Sequence, residues 1–228
     1  MPITKAVSSQ RGSGGNRTVS LTVAAGDIIV ALCTSQDSNT NNIGCTGITR
    51  DGQSFTKRGG AGGSGGSGAP NYAECWYLEN PNVGTSNAVA SFNGTINECT
   101  ITFYVLTGAL ATSFFDGTDD FDTTSGVPPA MSITTTVASA MLLAVLTSEG
   151  SISGVGAGQD TDASLTDQSF ENTVSSSKIG GAAGSQSMSF TAPSNQYAQY
   201  MVAIKPSPVF YPGRGYFKRQ AVNRASRY

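Results

Sequence analysis

The sequence predicts an all-β protein: an antiparallel two-sheet sandwich, jelly-roll-like, built from two similar halves and followed by an extended C-terminal arm. Three observations lead to this prediction. Only 12% of the 228 residues are charged, while glycine (28 residues) and hydroxyl and amide side chains are abundant, which is typical of strands and turns. Short alternating segments are separated by turn residues, and no convincing amphipathic helix is found. The third observation is an internal repeat.

The repeat aligns the first half of the chain with the second. A Val-Ala dipeptide precedes an apolar run in each half, and Gln-Ser-Phe follows each run at a similar distance. A last segment then matches without gaps. The aligned positions are Ile28 with Met141, Phe55 with Phe170, Asn97 with Asn195, and Leu106 with Ile204. Four matches in the same order indicate a duplicated half-domain.

Each half is predicted to contribute six strands. In the first half they lie near 18–23, 27–35, 53–57, 72–79, 87–93 and 99–107. In the second half they lie near 131–137, 140–148, 164–170, 174–180, 186–191 and 197–205. The runs that begin at Ile28 and Met141 are apolar on both faces, so each is expected to be a central strand covered on both sides.

The predicted domain organisation follows from these strands. An N-terminal segment (1–17) precedes the sandwich (18–206), whose halves are about 18–110 and 127–206. The longest apolar run has about half the length of a membrane span, and the N-terminus has no apolar signal region. We therefore expect no membrane association and synthesis in a cytoplasm.

All four cysteines lie in the first half, at Cys33, Cys45, Cys75 and Cys99. None forms a C-x-x-C pair, so a zinc site is not expected. The repeat places Cys33 over Leu146 and Cys99 over Tyr197, which favours small buried apolar side chains. One or two disulfides are the alternative if the protein ends up outside the cell.

The C-terminal arm, residues 207–228, differs in charge from the rest of the chain. Up to Glu171 there are 6 basic and 15 acidic residues, and after it there are 7 basic and no acidic ones. Pro206, Pro208 and Pro212 exclude a regular strand. The predicted partner-binding residues of the arm are Phe210, Tyr211, Arg214, Tyr216, Phe217, Lys218, Arg219, Arg224, Arg227 and Tyr228. This mixture favours docking on an acidic protein surface, ahead of a solvated tail and of nucleic acid.

The sequence predicts no enzymatic activity and no cofactor. There is no histidine, which removes the commonest general base and metal ligand. Two carboxylates alone could hydrolyse a glycosidic bond. However, Glu74 and Glu79 are five residues apart, so on one strand they would point to opposite faces.

Three further segments are candidates for binding. Tyr72 and Trp76 could stack on a sugar if exposed, although the alternation with Tyr77 favours core packing of Trp76. The Gly/Ser-rich run 59–69 lacks the Lys of a phosphate-binding loop. It is expected to be either a flexible hairpin tip or a small-residue surface that a neighbour can approach closely. The candidate metal site is a run of carboxylates that could hold calcium, with a solvated turn as the alternative. Its residues are Asp116, Asp119, Asp120 and Asp122.

The order of motifs within residues 18–206 resembles a broad group of phage-encoded β-sandwich proteins of the virion surface. The motifs that carry the resemblance are Ala24-Ala25-Gly26-Asp27 before an apolar strand, the segments 48–57, 76–78 and 80–84, and Tyr197 to Pro206. The resemblance implies a non-enzymatic structural protein of a phage particle, a capsid decoration or minor capsid subunit anchored by the arm. Its partners would be other virion proteins, including copies of itself, and it would be assembled in the host cytoplasm and located in the virion.

The sequence is also compatible with two alternative functions. The first is a receptor- or carbohydrate-binding adhesin module of a tail or fibre, with its affinity in the loops 36–50 and 59–72. The second is a structural component of the tail or baseplate.

Overall fold

The structure is a computed structural model in which residues 2–36, 44–63, 71–92, 96–166 and 172–208 are described. Within these ranges the chain forms eighteen β-strands and no helix. In chain order they are β1 Thr4–Gly12, β2 Asn16–Val23, β3 Ile28–Gln36, β4 Cys45–Arg50, β5 Gln53–Ser54, β6 Thr56–Gly63, β7 Asn71–Leu78, β8 Gly84–Phe92, β9 Glu98–Thr107, β10 Asp120–Gly126, β11 Met131–Thr135, β12 Met141–Ser148, β13 Gly154–Val155, β14 Asp160–Thr166, β15 Asn172–Ile179, β16 Gly184–Met188, β17 Phe190–Thr191 and β18 Asn195–Ile204.

The strands form two central sheets and their outer partners. The first central sheet has the order β1-β9-β3-β7-β6 and the second has the order β10-β18-β12-β15-β14. The outer sheets are β2-β8-β4-β5 in the first half, and β11-β16 and β13-β17 in the second. Every pairing is antiparallel. The all-β antiparallel sandwich is thereby confirmed, with its strands distributed over five sheets rather than two.

The central sheets of the two halves repeat each other strand for strand. The order of the second central sheet follows from that of the first when β1, β3, β6, β7 and β9 are replaced by β10, β12, β14, β15 and β18. The register agrees as well, because Ile28 pairs with Leu106 in the first half and Met141 pairs with Ile204 in the second. The alternation of the chain between central and outer sheets is compatible with the jelly-roll-like arrangement, whose details stay a prediction.

Three hydrophobic cores separate four layers of sheet. The first core lies between the outer and central sheets of the first half, the second between the two central sheets, and the third between the sheets of the second half. Successive side chains of a strand point to opposite faces, so Ile29 enters the first core and Val30 the second. All residues of β3 and β12 are buried, which confirms that both strands are covered on each side.

Each of the twelve predicted strands overlaps an observed one, but four observed strands were not predicted: β1, β4, β10 and the two-residue strand β13. β1 and β10 are edge strands with largely polar sequences, so they lack a strong apolar alternation. In β4 the register shifts between Cys45 and Gly47, and a bulge interrupts the period of two. The N-terminal segment 1–17 is thus part of the first central sheet through β1.

Only residues 59–63 of the Gly-rich run 59–69 are described, and they lie in a strand rather than in a hairpin tip, whereas 64–69 lie outside the described residues. The described part of the run belongs to β6, which pairs with β7 as far as Gly63.

The two ends of the sandwich are different. At the C-terminal pole, defined by Ile28, Leu106 and Ile204, the Ser207 backbone N–H donates to Gly108 O at 2.7 Å, and the described chain ends at residue 208. At the opposite loop pole, Gln36 pairs with Asn71 and Glu98. The ends of β3, β6, β8 and β14 and the starts of β4, β7, β9 and β15 also lie at the loop pole.

Candidate functional site

The aromatic residues of β7 do not form an exposed platform. Trp76 is 8% exposed and belongs to the first core, while Tyr77 packs from the opposite face against the second. Tyr72 packs against the first core. This burial favours the core interpretation of Tyr72 and Trp76 over sugar stacking.

Glu74 is a buried carboxylate with several partners inside the protein. It accepts hydrogen bonds from the Trp76 indole at 3.2 Å and the Cys45 backbone N–H at 3.0 Å, and pairs with Lys57 Nζ at 2.5 Å. A Cβ at Gly60 would collide with the Glu74 side chain, so the glycine-rich β6 makes room for it. From the sequence, Glu74 was examined only as a possible catalytic carboxylate. These contacts give it a structural role instead.

The four cysteines are buried free thiols. Cys33, Cys45 and Cys99 belong to the first core and Cys75 to the second. Burial raises the pKa of Cys33 and of Cys75 well above the ordinary 9.0, so both thiols are protonated at neutral pH and poorly nucleophilic. The structure therefore agrees with small apolar core side chains and contains no disulfide among these four residues.

The carboxylates of the proposed calcium site face different partners. Asp116 is buried and accepts hydrogen bonds from the backbone N–H groups of Thr136 and Val137. Asp120 accepts from the Ser132 N–H at 2.6 Å, and Asp122 from the Tyr197 hydroxyl at 2.6 Å. No group of three or more His, Cys, Asp or Glu side chains suited to a metal ion occurs in the described part of the chain.

Asp119, the fourth member of that run, joins the two halves. Its carboxylate accepts from Arg58 Nε at 3.0 Å and Nη2 at 3.1 Å, and from the Tyr200 hydroxyl at 2.5 Å. The Arg58 guanidinium also lies over the Phe115 ring, 4.5 Å from its centre. Burial, and then the hydrogen bond to Asp119, raise the pKa of Tyr200. Arg58 and Asp119 thus pair with each other within the molecule and neutralise each other's charge.

The outer side of β10 is the candidate docking surface. In the described structure this strand pairs only with β18, in an uninterrupted register of seven residue pairs. Phe121 is 56% exposed, and its ring stacks on Tyr200 with centres 6.1 Å apart. Asp120 and Asp122 lie on the other face of the strand and are partly exposed. An edge strand presents unpaired backbone N–H and C=O groups. From the sequence, this segment was predicted to be a turn between the two halves, so the exposed edge of β10 was not predicted.

A second polar region lies at the loop pole, between the two central sheets. Gln36, Asn71 and Thr100 are at most 2% exposed. Gln36 Nε2 donates to Glu149 Oε1 at 3.3 Å. Gln36 Oε1, both polar side-chain atoms of Asn71 and the Thr100 hydroxyl have no hydrogen-bond partner among the residues that the structure describes. An unsatisfied buried amide costs about 1–3 kcal/mol, so these atoms mark a place where water or a small polar ligand would be stabilised.

The ten arm residues predicted to bind a partner lie outside the described residues, and their role stays a prediction. They are Phe210, Tyr211, Arg214, Tyr216, Phe217, Lys218, Arg219, Arg224, Arg227 and Tyr228. No protein-family model matches the chain, and no curated protein or solved structure matches it either. Among the described residues no helix is present that could cross a membrane.

Proposed function

We propose that the protein is a non-enzymatic structural subunit of a phage particle, a capsid decoration or minor capsid protein that is held by its C-terminal arm. The proposal rests on the difference between the two ends of the molecule. The described chain ends at residue 208 at the C-terminal pole, where the arm begins, while the end of β3 at Gln36 and the start of β7 at Asn71 lie at the opposite, loop pole. A subunit attached at one pole would present the other pole outwards.

Charge supports attachment through the arm. After residue 208 the chain contains five basic residues and no acidic one, whereas the chain up to Glu171 has 15 acidic and 6 basic residues. Opposite charges steer association and align the partners. The arm is therefore suited to the acidic bodies of neighbouring copies or of related virion proteins.

The body is suited to a structural role. Three cores join its four layers, and the buried carboxylates Glu74 and Asp116 are hydrogen-bonded to neighbouring protein groups. We propose that it is assembled in the host cytoplasm and resides in the virion.

Truncation after residue 208 tests the proposal. This deletion keeps the hydrogen bond of Ser207, so the body should fold with an unchanged circular dichroism spectrum. We expect its copy number per purified phage particle, measured by quantitative mass spectrometry, to fall at least tenfold. A matched full-length variant with Arg214, Lys218, Arg219, Arg224 and Arg227 replaced by Gln separates charge from length. Wild-type incorporation of the truncated protein would contradict the proposal.

The second candidate is a receptor- or carbohydrate-binding adhesin module. The unpartnered atoms of Gln36 and Asn71 favour it, because both predicted ligand loops adjoin these residues at the loop pole. In that case the truncated protein should bind host cells or glycans as the full chain does. Asn71→Ala should reduce this binding, whereas Asn87→Ala, on β8, should leave it unchanged.

A further inference from the structure

We propose that the edge of β10 in one copy receives the arm of a second copy, and that residues 213–219 of this arm add to β10 as an antiparallel strand. The inference rests on the proposed function and specifies the acceptor for the arm. It follows from a comparison of the four sheet edges, from the pattern of the arm and from the path of the chain.

Two of the four edges of the central sheets are unsuited to a basic arm. β1 carries Lys5 and Arg11, and β6 carries Lys57 and Arg58. In β6 the register also shifts between Lys57 and Gly59. Cationic side chains and bulges are the usual means of preventing a further strand from pairing at an edge.

The remaining edges, β14 and β10, both carry carboxylates. In β14 the register shifts between Thr161 and Ala163, and Asp162 is buried in an ion pair with Lys5. β10 has no such shift. It combines an exposed aromatic ring, that of Phe121, with the carboxylates of Asp120 and Asp122 on the opposite face.

The arm has the complementary pattern. No proline follows Pro212, and Tyr216, Phe217, Lys218 and Arg219 are consecutive. In a strand, alternate side chains share a face. If Phe217 lies beside Phe121, then Tyr216 and Lys218 lie on the face of Asp120 and Asp122. Aromatic and opposite-charge neighbours across strands each contribute about 0.2–1 kcal/mol.

The path of the chain favours a second copy as the donor. The arm begins at the C-terminal pole, where β18 ends. A strand antiparallel to β10 must run in the direction of β18, towards that same pole. Within one copy the arm would first have to cross the whole length of the sheet, whereas the arm of a second copy can enter from either end.

Disulfide formation between two differently substituted full-length proteins tests the inference. Antiparallel pairing of Phe121 with Phe217 places residue 123 opposite residue 215, so one protein carries Thr123→Cys and the other Gly215→Cys. Mild oxidation of the mixture should give a covalent heterodimer. The four native cysteines are buried and contribute little background. The control pair is Asp160→Cys, on the other acidic edge, with Gly215→Cys.

We expect the heterodimer yield to exceed that of the control pair at least fivefold, and to fall when Phe121→Lys is added to the Thr123→Cys protein. Equal yields, no heterodimer, or a bond formed only within single chains of the Thr123→Cys, Gly215→Cys double variant would overturn the inference. If truncation after residue 208 prevents incorporation but the heterodimer does not form, only the acceptor is wrong. If the heterodimer forms but truncated protein is incorporated normally, the proposed function fails instead.

Discussion

Among the described residues, Arg50 is the largest side chain that is completely buried. Its guanidinium donates to the backbone carbonyl groups of Asn82 at 2.8 Å and Gly84 at 2.7 Å, and contacts Leu21 O at 3.4 Å. These bonds hold β2, β4 and the turn before β8 together at the C-terminal pole. A single buried cation thus donates hydrogen bonds to backbone carbonyl groups of separate segments.

Arg50→Met should destabilise the protein by about 3–5 kcal/mol, because buried carbonyl groups lose charged donors at the same time. Urea unfolding monitored by the fluorescence of Trp76 measures this loss. Lys178→Met, at a partly exposed position, is the control and should change stability by less than about 0.5 kcal/mol. A loss below about 1 kcal/mol for Arg50→Met would refute the role of these bonds.

Stability should also fall at high pH. Burial raises the pKa of Cys33 and Cys75 above the ordinary 9.0, and that of Tyr104 and Tyr200 above the ordinary 10.0. The folded state keeps these groups protonated while the unfolded chain ionises. The contribution of the two cysteines is therefore complete below about pH 9, and that of the two tyrosines below about pH 10. Above that pH each group's contribution is lost by about 1.4 kcal/mol per pH unit. Urea midpoints at pH 8, 9 and 10 test this, and Cys75→Ala should flatten the decline.

At the scale of the elements, the halves approach each other closely where β6 faces β18. A Cβ at Gly59 would collide with the Tyr200 hydroxyl, which itself donates to Asp119. The absence of a side chain on β6 therefore permits the junction of Arg58, Asp119 and Tyr200 to form. Glycine in an edge strand usually weakens it, but here it allows two sheets to pack.

Gly59→Ala should destabilise the protein by about 1–3 kcal/mol through overpacking. Gly47→Ala is the matched control, because Gly47 is also in a strand and a Cβ there meets no atom within 4 Å. Combining Gly59→Ala with Tyr200→Phe should cost less than the sum of the single changes, since the clashing oxygen is gone. Equal losses for both glycines, measured by thermal unfolding, would contradict this account.

At the scale of the whole molecule, the second core makes one unit of the two halves. It contains residues of both central sheets, such as Val30 and Leu143. Hydrogen bonds cross the same interface from Thr34 to Thr173 at 3.0 Å and from Ser175 to Thr102 at 2.9 Å. A half on its own would expose this large surface to water.

The halves should therefore unfold together. Leu146 lies in the third core and belongs to the second half, while the only tryptophan, Trp76, is in the first. Leu146→Ala should lower stability by about 2–5 kcal/mol and shift the urea midpoint seen by Trp76 fluorescence as far as the midpoint seen by circular dichroism. An unchanged fluorescence midpoint would mean that the halves unfold independently.

The sequence predicted the parts of the fold that depend on apolar periodicity. Ile28 and Met141 begin runs that are apolar on both faces. Such a run is most readily buried as a strand that other layers cover on both faces. The gapless match of Leu106 with Ile204 identified equivalent registers for the same reason. The number of layers was not predictable, because burial on both faces of a strand does not say which sheets provide the cover.

The candidate docking surface was less predictable. Asp116, Asp119, Asp120 and Asp122 read as one acidic run, yet the chain turns within this run, and each carboxylate meets a different partner. The edge position of β10 depends on its pairing with β18, about 75 residues further along the chain. Such a long-range pairing leaves little trace in a polar segment. The basic arm was visible because composition alone identifies it.

The position of the N-terminus has a practical consequence. Thr4 pairs with Thr107, and Pro2 lies beside Gly108, the residue whose carbonyl accepts the Ser207 N–H. Both ends of the described chain therefore emerge side by side. An affinity tag or fluorescent protein fused at either terminus would crowd the segment proposed to attach the subunit, so reporters belong in the connections at the far end.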